Sequence, residues 1–368
     1  MSIAIVHEWI SDIGGSEKVL GELVNLFPDY HLFTIFYRKE SLDMIGIEER
    51  RVSVSFLNKI KGISKIYRSL LPLFPVAIES LDISGFDLIL SSSHIAAKGV
   101  IPRPYQTHIC YCHTPARYLW DMSHQYLRTK GLDRGVASIL SHTILNYLRL
   151  WDVTTSNRVD YFIANSEYTR RRIKKYYNRD SIVIYPPVDT ARFKPQKKEN
   201  YFLFLSRLVP YKRADLAISA FSQLKLPLVV AGDGPELKRL KNIAKKNIEF
   251  TGYLSDEEVV QYLSKARALI YPSEEDFGIT MVEALSSGTP VIAFKRGGAS
   301  EIVSDISESK VPTGVLFNNQ TSDDICEAVR NFIRSEDLFD TKTLVERAKR
   351  FSKEVFREKI LLFMDSIR

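Results

Sequence analysis

The sequence predicts an α/β protein made of two doubly wound domains, each a parallel sheet covered by helices. Three observations predict it. Short apolar runs alternate with helical patterns through both halves of the chain. Most of those runs are apolar without a break, as strands buried on both faces must be. The Tyr185-Pro186-Pro187-Val188-Asp189 stretch, followed by the polar run from Lys194 to Asn200, separates the runs into two series. At 368 residues the chain has room for two domains of ordinary size.

In chain order the first series reads as strands at Ser2–Val6, His31–Phe36, Val52–Phe56, Asp87–Ser91, His108–Cys112 and Tyr161–Asn165. The first run breaks at His7 and Glu8 and has no basic leader, so it reads as a strand and not as a secretory signal. The second series is Tyr201–Leu205, Pro227–Ala231, Ile248–Thr251, Ala268–Tyr271, Pro290–Phe294 and Gly314–Phe317. Helical stretches lie between them at Gly15–Leu26, Arg213–Gln223, Pro235–Lys245, Asp256–Lys265 and Ser322–Ile333. A last helical pattern near Lys353–Ile367 carries Val355, Phe356, Ile360, Leu361, Phe363 and Met364 at helical spacing. The expected domains are 1–190 and 191–350, with a linker near 186–199.

Composition narrows the class. With 45% hydrophobic and 26% charged residues the chain is an ordinary globular protein, which excludes disordered, collagenous and disulfide-stapled classes. No run approaches the roughly 18 apolar residues of a membrane-spanning helix. Cys110, Cys112 and His113 are too crowded for usual zinc spacing, and the three cysteines read as reduced thiols of a cytoplasmic protein. The net charge of +7 permits anionic partners: a phosphate-bearing ligand, nucleic acid or an acidic membrane face. The excess is spread, 23 Lys/Arg against 19 Asp/Glu in residues 1–190 and 28 against 25 beyond them. Local runs therefore say more than the total.

The chemistry-bearing motifs fall at strand ends. Gly14-Gly15 follows the first strand and opens a helix, where exposed N–H groups attract anions; the same residues also suit a plain βα turn. His113, at the end of the fifth strand, is placed to hydrogen-bond a polar substrate or to serve structure alone. Arg207 and Lys212 lie in one loop after the first strand of the second half. A planar fork and a mobile point charge together suit a diphosphate, though a solvated basic loop has the same composition. The Ala231–Glu236 turn, with its two glycines and Pro235, reads as structural. The segment from Tyr271 to Leu285 ends a strand, passes a glycine-bearing loop and begins a helix near Thr280. Glu275 and Glu283 read either as two acceptors for two sugars of one ligand, with the backbone N–H groups of Phe277, Gly278 and Ile279 facing a phosphate, or as two unrelated glutamates at a helix start.

Two basic stretches remain. Between Arg50 and Arg68 there are six cations and no acid, with Ile60, Ile63, Ile66, Leu70 and Leu71 interleaved. That pattern suits an amphipathic helix on anionic lipid, with Lys59, Lys61, Lys65 and Arg68 as headgroup contacts, or a core helix with a solvated face. Residues 170–175 carry five cations on a helix and read as a solvated face.

The order of the motifs resembles family 4 of the retaining glycosyltransferases. It runs Gly14-Gly15, His113, Asn165-Ser166, Pro187-Val188-Asp189, Ser206-Arg207 with Lys212, Gly232-Asp233-Gly234-Pro235, Thr251-Gly252-Tyr253, and then the Glu275/Glu283 pair. The resemblance covers nearly the whole chain. Around Cys112-His113-Thr114-Pro115 it is most similar to mannosyltransferases of bacterial O-antigen and surface polysaccharides. The resemblance implies a GT-B fold: two Rossmann-like domains facing a central cleft, with the last helix (about 351–368) crossing back to the first. It implies a nucleotide-diphosphate sugar donor, Arg207 and Lys212 on the diphosphate, Glu283 on the ribose and Glu275 on the transferred sugar. Phe277, Gly278 and Ile279 would complete the pocket, Gly14 and Gly15 would meet the diphosphate, His113 the sugar, and Gly252, Tyr253 and Leu254 the base. Members of this fold generally use no metal, and none is expected here.

The expected function is thus retaining transfer of a hexose, mannose from GDP-mannose, to a glycan or polyprenyl-diphosphate-linked saccharide. The expected location is cytoplasmic, peripheral to the inner membrane face. A UDP-sugar enzyme of the same fold is the nearest alternative. A non-catalytic sugar-nucleotide binder or a nucleic-acid-binding protein are alternatives of another class; no reader motif supports the last.

Overall fold

The structure is a computed structural model and describes residues 2–367. The chain divides after Tyr185 into two compact units. The sequence placed that boundary at 190/191 and grouped the terminal helix with the first domain. The division of contacts instead counts the helix Lys353–Ser366 with the second unit, where Val188 N–H bonds Phe351 O at 2.9 Å and Lys353 pairs with Asp189.

The first unit is built on a seven-stranded sheet, wholly parallel, in the order β3-β2-β1-β4-β5-β6-β7. Its strands are β1 (Ile3–Ile10), β2 (Tyr30–Tyr37), β3 (Val52–Val54), β4 (Leu88–Ser93), β5 (Thr107–Cys112), β6 (Tyr161–Ala164) and β7 (Ser181–Val183). The second unit holds six parallel strands in the order β10-β9-β8-β11-β12-β13. These are β8 (Phe202–Leu205), β9 (Leu228–Ala231), β10 (Ile248–Gly252), β11 (Leu269–Tyr271), β12 (Val291–Phe294) and β13 (Gly314–Phe317). Helices connect the strands, and the apolar strand positions are buried, as the two-sided pattern requires.

In each sheet the strand order reverses once. In the first unit the reversal lies between β1 and β4; in the second it lies between β8 and β11. Where the order reverses, the connections leave neighbouring strands in opposite directions, and the crevice outside their carboxyl ends is where ligands of open α/β sheets bind.

Several elements depart from the sequence reading. β1 does not stop at Val6 but runs through His7 and Glu8, both fully buried, to Ile10. β7 closes one edge of the sheet; its burial is incomplete, so it has no continuous apolar run. The basic stretch from Arg50 to Leu73 is not one amphipathic helix. It breaks into β3 and short turns of helix because Gly62 adopts φ +73 and Pro72 interrupts the ladder. Ile63 is buried in the core, whereas Lys59, Lys61, Lys65 and Arg68 are exposed. The helix Glu167–Tyr177 buries Thr169, Ile173 and Tyr177 on one face; of its cations Arg172 alone is buried, where it pairs with Asp121 and donates to Pro115 O at 2.8 Å.

The longest helix, Gly135–Ser156, was not anticipated. Leu145, Leu148 and Trp151 tie it to the core that also holds Phe74 and Ile78. A buried polar cluster fixes its end: Asp152 accepts from Lys98 Nζ at 2.6 Å, Tyr177 OH at 3.0 Å and Trp120 Nε1 at 2.9 Å. Every hydrogen-bonding partner there is met by another, which is the condition under which a buried ion pair is tolerated.

Candidate active site

In the second unit the site begins where β8 ends. The loop carrying Arg207 and Lys212 rests on the turn after β9. Leu208 N–H donates to Asp233 O at 2.8 Å, and Glu236 N–H donates to Leu208 O at 3.1 Å. Only glycine fits between these two loops. A Cβ on Gly232 (φ +129) would lie 2.0 Å from Ser206 O, and one on Gly234 would lie 2.3 Å from Leu208 O. The Gly-Asp-Gly-Pro turn is thus a rack for the basic loop, in keeping with its structural reading. It also meets the loop after β10, where Gly232 N–H donates to Gly252 O at 2.8 Å. Beyond Gly252, Tyr253 is exposed and Leu254 buried.

Lys212 closes a short 3-10 turn, Pro210–Lys212, and extends toward the next strand end. Its Nζ lies 2.6 Å from Glu275 Oε1, with both side chains less than one-fifth exposed. Burial alone would push the ammonium toward deprotonation; the Glu275 carboxylate overrides it and holds the Lys212 pKa above its usual value. Burial, and then Glu275, push the neighbouring Tyr271 hydroxyl the same way, so it stays a neutral donor. Arg207 differs. It is exposed, and its side chain makes no hydrogen bond or ion pair among the described residues. Arg213, next to Lys212, is structural: it binds Asp215 and Gln320, and Gln320 in turn donates to Pro272 O.

The Pro272–Gly278 loop is held from one side by the turn after β12. Glu275 O accepts from Gly298 N–H at 2.9 Å. A Cβ on Gly297 would meet Glu275 O at 2.0 Å, and one on Gly298 would meet Phe277 O at 2.1 Å. Gly278, at φ +104, caps the helix Ile279–Ser286, and no side chain makes a capping hydrogen bond there. Glu283 lies buried in that helix, as the spacing predicts. The sequence reading missed Gly297 and Gly298. Their signal was available, because a glycine pair directly after a strand is the same pattern as Gly14-Gly15.

The first unit presents a second polar group at its own reversal point. Glu8 is fully buried, and its Oε1 accepts from the backbone N–H groups of His94, Ile95, Ala96 and Ala97 at 2.8–3.2 Å and from Ser93 Oγ at 3.0 Å. Its Oε2 lies 3.0 Å from His94 Nδ1. Burial opposes ionisation of Glu8, but His94 and these N–H groups hold its pKa well below the carboxylate range. Burial would lower His94, and Glu8 raises it. Two strand positions along, His7 Nδ1 lies 3.1 Å from Ser92 Oγ, which lies 2.8 Å from His113 Nε2. Burial, then His94 and His7, push His113 down to about 3, so its imidazole is neutral at ordinary pH.

Gly14 and Gly15 open the first helix. Gly14 N–H is satisfied by the Glu17 carboxylate at 2.9 Å. The two glycines therefore stand close in the fold to the His7–His113 group. His7, Glu8, Ser92, Ser93 and His94 were missed because their placement depends on which strands are neighbours, and periodicity does not say.

Comparisons with known proteins agree with this layout. The profile described as "Glycosyltransferase Family 4" matches residues 13–192, and "Glycosyl transferases group 1" matches 187–355. An uncharacterized glycosyltransferase of Methanocaldococcus jannaschii is 29% identical over 360 residues, covering 95% of this chain and 93% of that one. The GDP-mannose-dependent alpha-(1-6)-phosphatidylinositol monomannoside mannosyltransferase of Mycobacterium tuberculosis is 29% identical over 47% of this chain and 52% of its own. The O-antigen chain mannosyltransferase C of Escherichia coli is 27% identical over 45% of each. The chain thus spans about half the length of those two mannosyltransferases. Among solved structures, Anabaena HepE in complex with UDP superposes with a TM-score of 0.73 at 18% identity, covering all of both chains.

Proposed function

The chain belongs to glycosyltransferase family 4, and from that premise we propose that it is a retaining mannosyltransferase using GDP-mannose. The acceptor is a glycan or lipid-linked saccharide of a surface polysaccharide. The observation that carries the site assignment is the Lys212–Glu275 pair at the β8/β11 reversal point, 2.6 Å apart and walled by glycines.

The mechanism follows from where charge moves. As the glycosidic C–O bond breaks, negative charge grows on the nucleotide diphosphate and positive charge on the sugar ring. Lys212 is held protonated by its partner, and Arg207 is free to form a fork with phosphate. Both cations are in place before reaction, so the transition state gains their field without reorganisation. Glu275 is fixed in direction by Lys212 and accepts hydrogen bonds from sugar hydroxyls; Glu283 does the same for the ribose. The N–H groups of Phe277, Gly278 and Ile279 take the phosphate oxygens. The departing phosphate oxygen takes the acceptor proton, so no dedicated base is required. The two cations supply the charge that a divalent metal would otherwise supply, and turnover is expected to survive EDTA.

The mannosyltransferases named above support mannose and guanine. The UDP complex of a structural neighbour favours the second reading, a UDP-sugar-dependent hexosyltransferase. Thermal stabilisation by a panel of GDP- and UDP-sugars separates the two, because a specific donor raises the melting temperature by mass action. A response to UDP-sugars alone removes the GDP-mannose reading, and a response to neither removes both.

An acceptor on a lipid carrier requires contact with a bilayer. No described helix is long and apolar enough to cross one. The helix Gly135–Ser156 carries no charged residue from 135 to 148, and it exposes Val136, Ile139, Leu140 and Leu150 along one side. Arg128, Lys130 and Arg134 lie just before it. The acid-free stretch with Lys59, Lys61, Lys65 and Arg68 packs on the same core cluster. Apolar side chains with cations beside them suit an anionic leaflet. This helix carries the membrane reading further than the basic stretch does alone.

A further inference from the structure

A line of four side chains joins the Gly14-Gly15 turn to His113. Gly14 N–H and Ser16 Oγ each donate to Glu17 Oε2 at 2.9 Å. The other oxygen of Glu17 lies 3.6 Å from His7 Nε2. His7 Nδ1 lies 3.1 Å from Ser92 Oγ, and Ser92 Oγ lies 2.8 Å from His113 Nε2. His7 and Ser92 are wholly buried and Glu17 almost so, whereas His113 is partly exposed. The backbone of His113 is fixed as well: its N–H donates to Ser93 O at 2.8 Å, and its C=O accepts from Thr169 Oγ1 at 3.4 Å.

With one proton on each imidazole, the protons along this line have one consistent placement. Burial resists the charge of Glu17, yet His7 holds its pKa down to about 2, so the carboxylate is ionised and accepts only. A bare ring nitrogen facing a carboxylate at 3.6 Å is repelled, so His7 carries its proton on Nε2. With its proton on Nε2, His7 turns a lone pair on Nδ1 toward Ser92. Ser92 has one hydroxyl proton and two imidazole neighbours, and it gives that proton to His7. Its remaining lone pair accepts from His113, which therefore bears its proton on Nε2. The other nitrogen of His113, Nδ1, is left as an acceptor. Which nitrogen of a histidine is protonated is set by what the other one meets.

We propose that Glu17, His7 and Ser92 are positioning residues that lock His113 in the Nε2–H tautomer, so that Nδ1 accepts a hydrogen bond from a hydroxyl of the transferred sugar. This rests on the reading of His113 as the residue facing that sugar. An acceptor suits that place, because the ring gains positive charge as the donor bond breaks and a neutral lone pair does not oppose it. The other ionisable groups around His113 are Glu8 and His94, which pair with each other, and Tyr111, whose ring lies 5.2 Å away. The arrangement also joins two parts of the site. The carboxylate that shapes the glycine turn is the one that orients the histidine.

The test is a long-range proton–nitrogen correlation on the full chain labelled with ¹⁵N-histidine, with kinetics of the same variants. Wild type is expected to show His113 with its proton on Nε2. Ser92→Ala is expected to give a mixture of tautomers and to lower kcat roughly five- to tenfold, the size of one lost hydrogen bond. Donor-induced thermal stabilisation should remain. Glu17→Gln should move the same signals less. Ser92→Thr, which keeps a hydroxyl, should restore both tautomer and rate. A wild-type His113 carrying its proton on Nδ1 overturns the proposal. So does a Ser92→Ala protein whose tautomer and kcat match wild type. The spectrum is read without substrate. A failed transferase assignment with the expected tautomer is therefore distinct from a failed relay in an active enzyme.

Discussion

Lys212 Nζ and Glu275 Oε1 lie 2.6 Å apart, each brought to the end of a different strand, with β8 and β11 side by side at the point where the sheet reverses. The pair has two roles that mutation can separate. In the proposed mechanism, removing Lys212 strips a fixed cation from the diphosphate, and in the fold it leaves Glu275 without its partner. Lys212→Met is expected to reduce turnover about 100- to 1000-fold, the cost of one preorganised charge of about 3–4 kcal/mol. It should also destabilise the second unit by about 1–3 kcal/mol, less than for a fully buried pair because both side chains retain some solvent. The double variant Lys212→Met/Glu275→Gln should recover most of the stability and none of the rate. Urea melts beside turnover assays check this; full activity in Lys212→Met removes the diphosphate role.

Arg207 predicts a different profile. It has no protein partner among the described residues and is exposed, so Arg207→Ala should leave the urea midpoint within error of wild type while donor turnover falls about 100-fold or more. A fall in stability with unchanged kcat/KM would place Arg207 in the scaffold instead.

The glycines after β12 make a sharper structural prediction. A methyl on Gly297 would sit 2.0 Å from Glu275 O, so Gly297→Ala must displace the loop that carries Glu275. It also strains a residue at φ +66. The variant should lose donor-induced thermal stabilisation. Gly85→Ala, where a Cβ meets nothing within 4 Å and φ is not positive, should behave as wild type. Equal donor binding by both variants would separate this loop from the donor site.

These relationships divide between what the sequence states and what only the fold reveals. Twelve of the thirteen strands are legible because a strand buried on both faces has to be apolar throughout. Glu275 and Glu283 are legible because their spacing is local to one loop and one helix. His7, Glu8, Ser92 and His94 are not. Each looks like the polar end of a strand until β1 and β4 are known to be neighbours, and then they become one group, buried but for the partly exposed His94. The helix Gly135–Ser156 escaped for a related reason. Its exposed side is apolar, so its pattern lacks the polar stripe by which a surface helix is recognised. The basic stretch misled in the other direction, since Gly62 and Pro72 break the helix that its spacing suggests.

Acid should weaken the first unit before the site itself titrates. His108 is buried, with Ser91 Oγ at 2.9 Å and Arg158 O at 3.1 Å from its ring nitrogens, and burial pushes it down to about 4. Between pH 6.5 and 4 the unfolded chain binds a proton at this residue that the folded chain refuses, so stability falls as pH falls. His113, at about 3, adds a term of the same sign below pH 6.5, and Glu17, at about 2, adds one below pH 4.5. His94 is shifted upward and acts oppositely, giving stability at low pH that is lost as pH rises through its folded value. His108→Gln keeps hydrogen-bonding atoms and does not titrate. Wild type should lose about 2 kcal/mol at this residue between pH 7 and 5, and the variant should not. Urea titrations at the two pH values measure it, and parallel losses in both proteins would contradict the assignment.

Membrane contact is the last prediction, and it turns on which surface carries the binding. If lipid is held mainly by charge, neutralising Lys59, Lys61, Lys65 and Arg68 should release the protein from anionic vesicles, and salt should do the same. If the exposed side of the helix Gly135–Ser156 inserts, Leu140→Glu with Leu150→Glu should release it at low salt while the four cations remain. Each of these leucines is more than three-fifths exposed, so the substitutions remove no core contact and should leave the melting temperature unchanged. Leu140 lies within the 14 uncharged residues that open the helix and Leu150 follows Arg149, so each glutamate adds an anion to the apolar side itself. The expected result of flotation is loss by the leucine variants and only partial, salt-like weakening by the cation variants. Retention by the leucine variants would assign the contact to the basic stretch, and absence of wild-type flotation would remove the bilayer from the reading altogether.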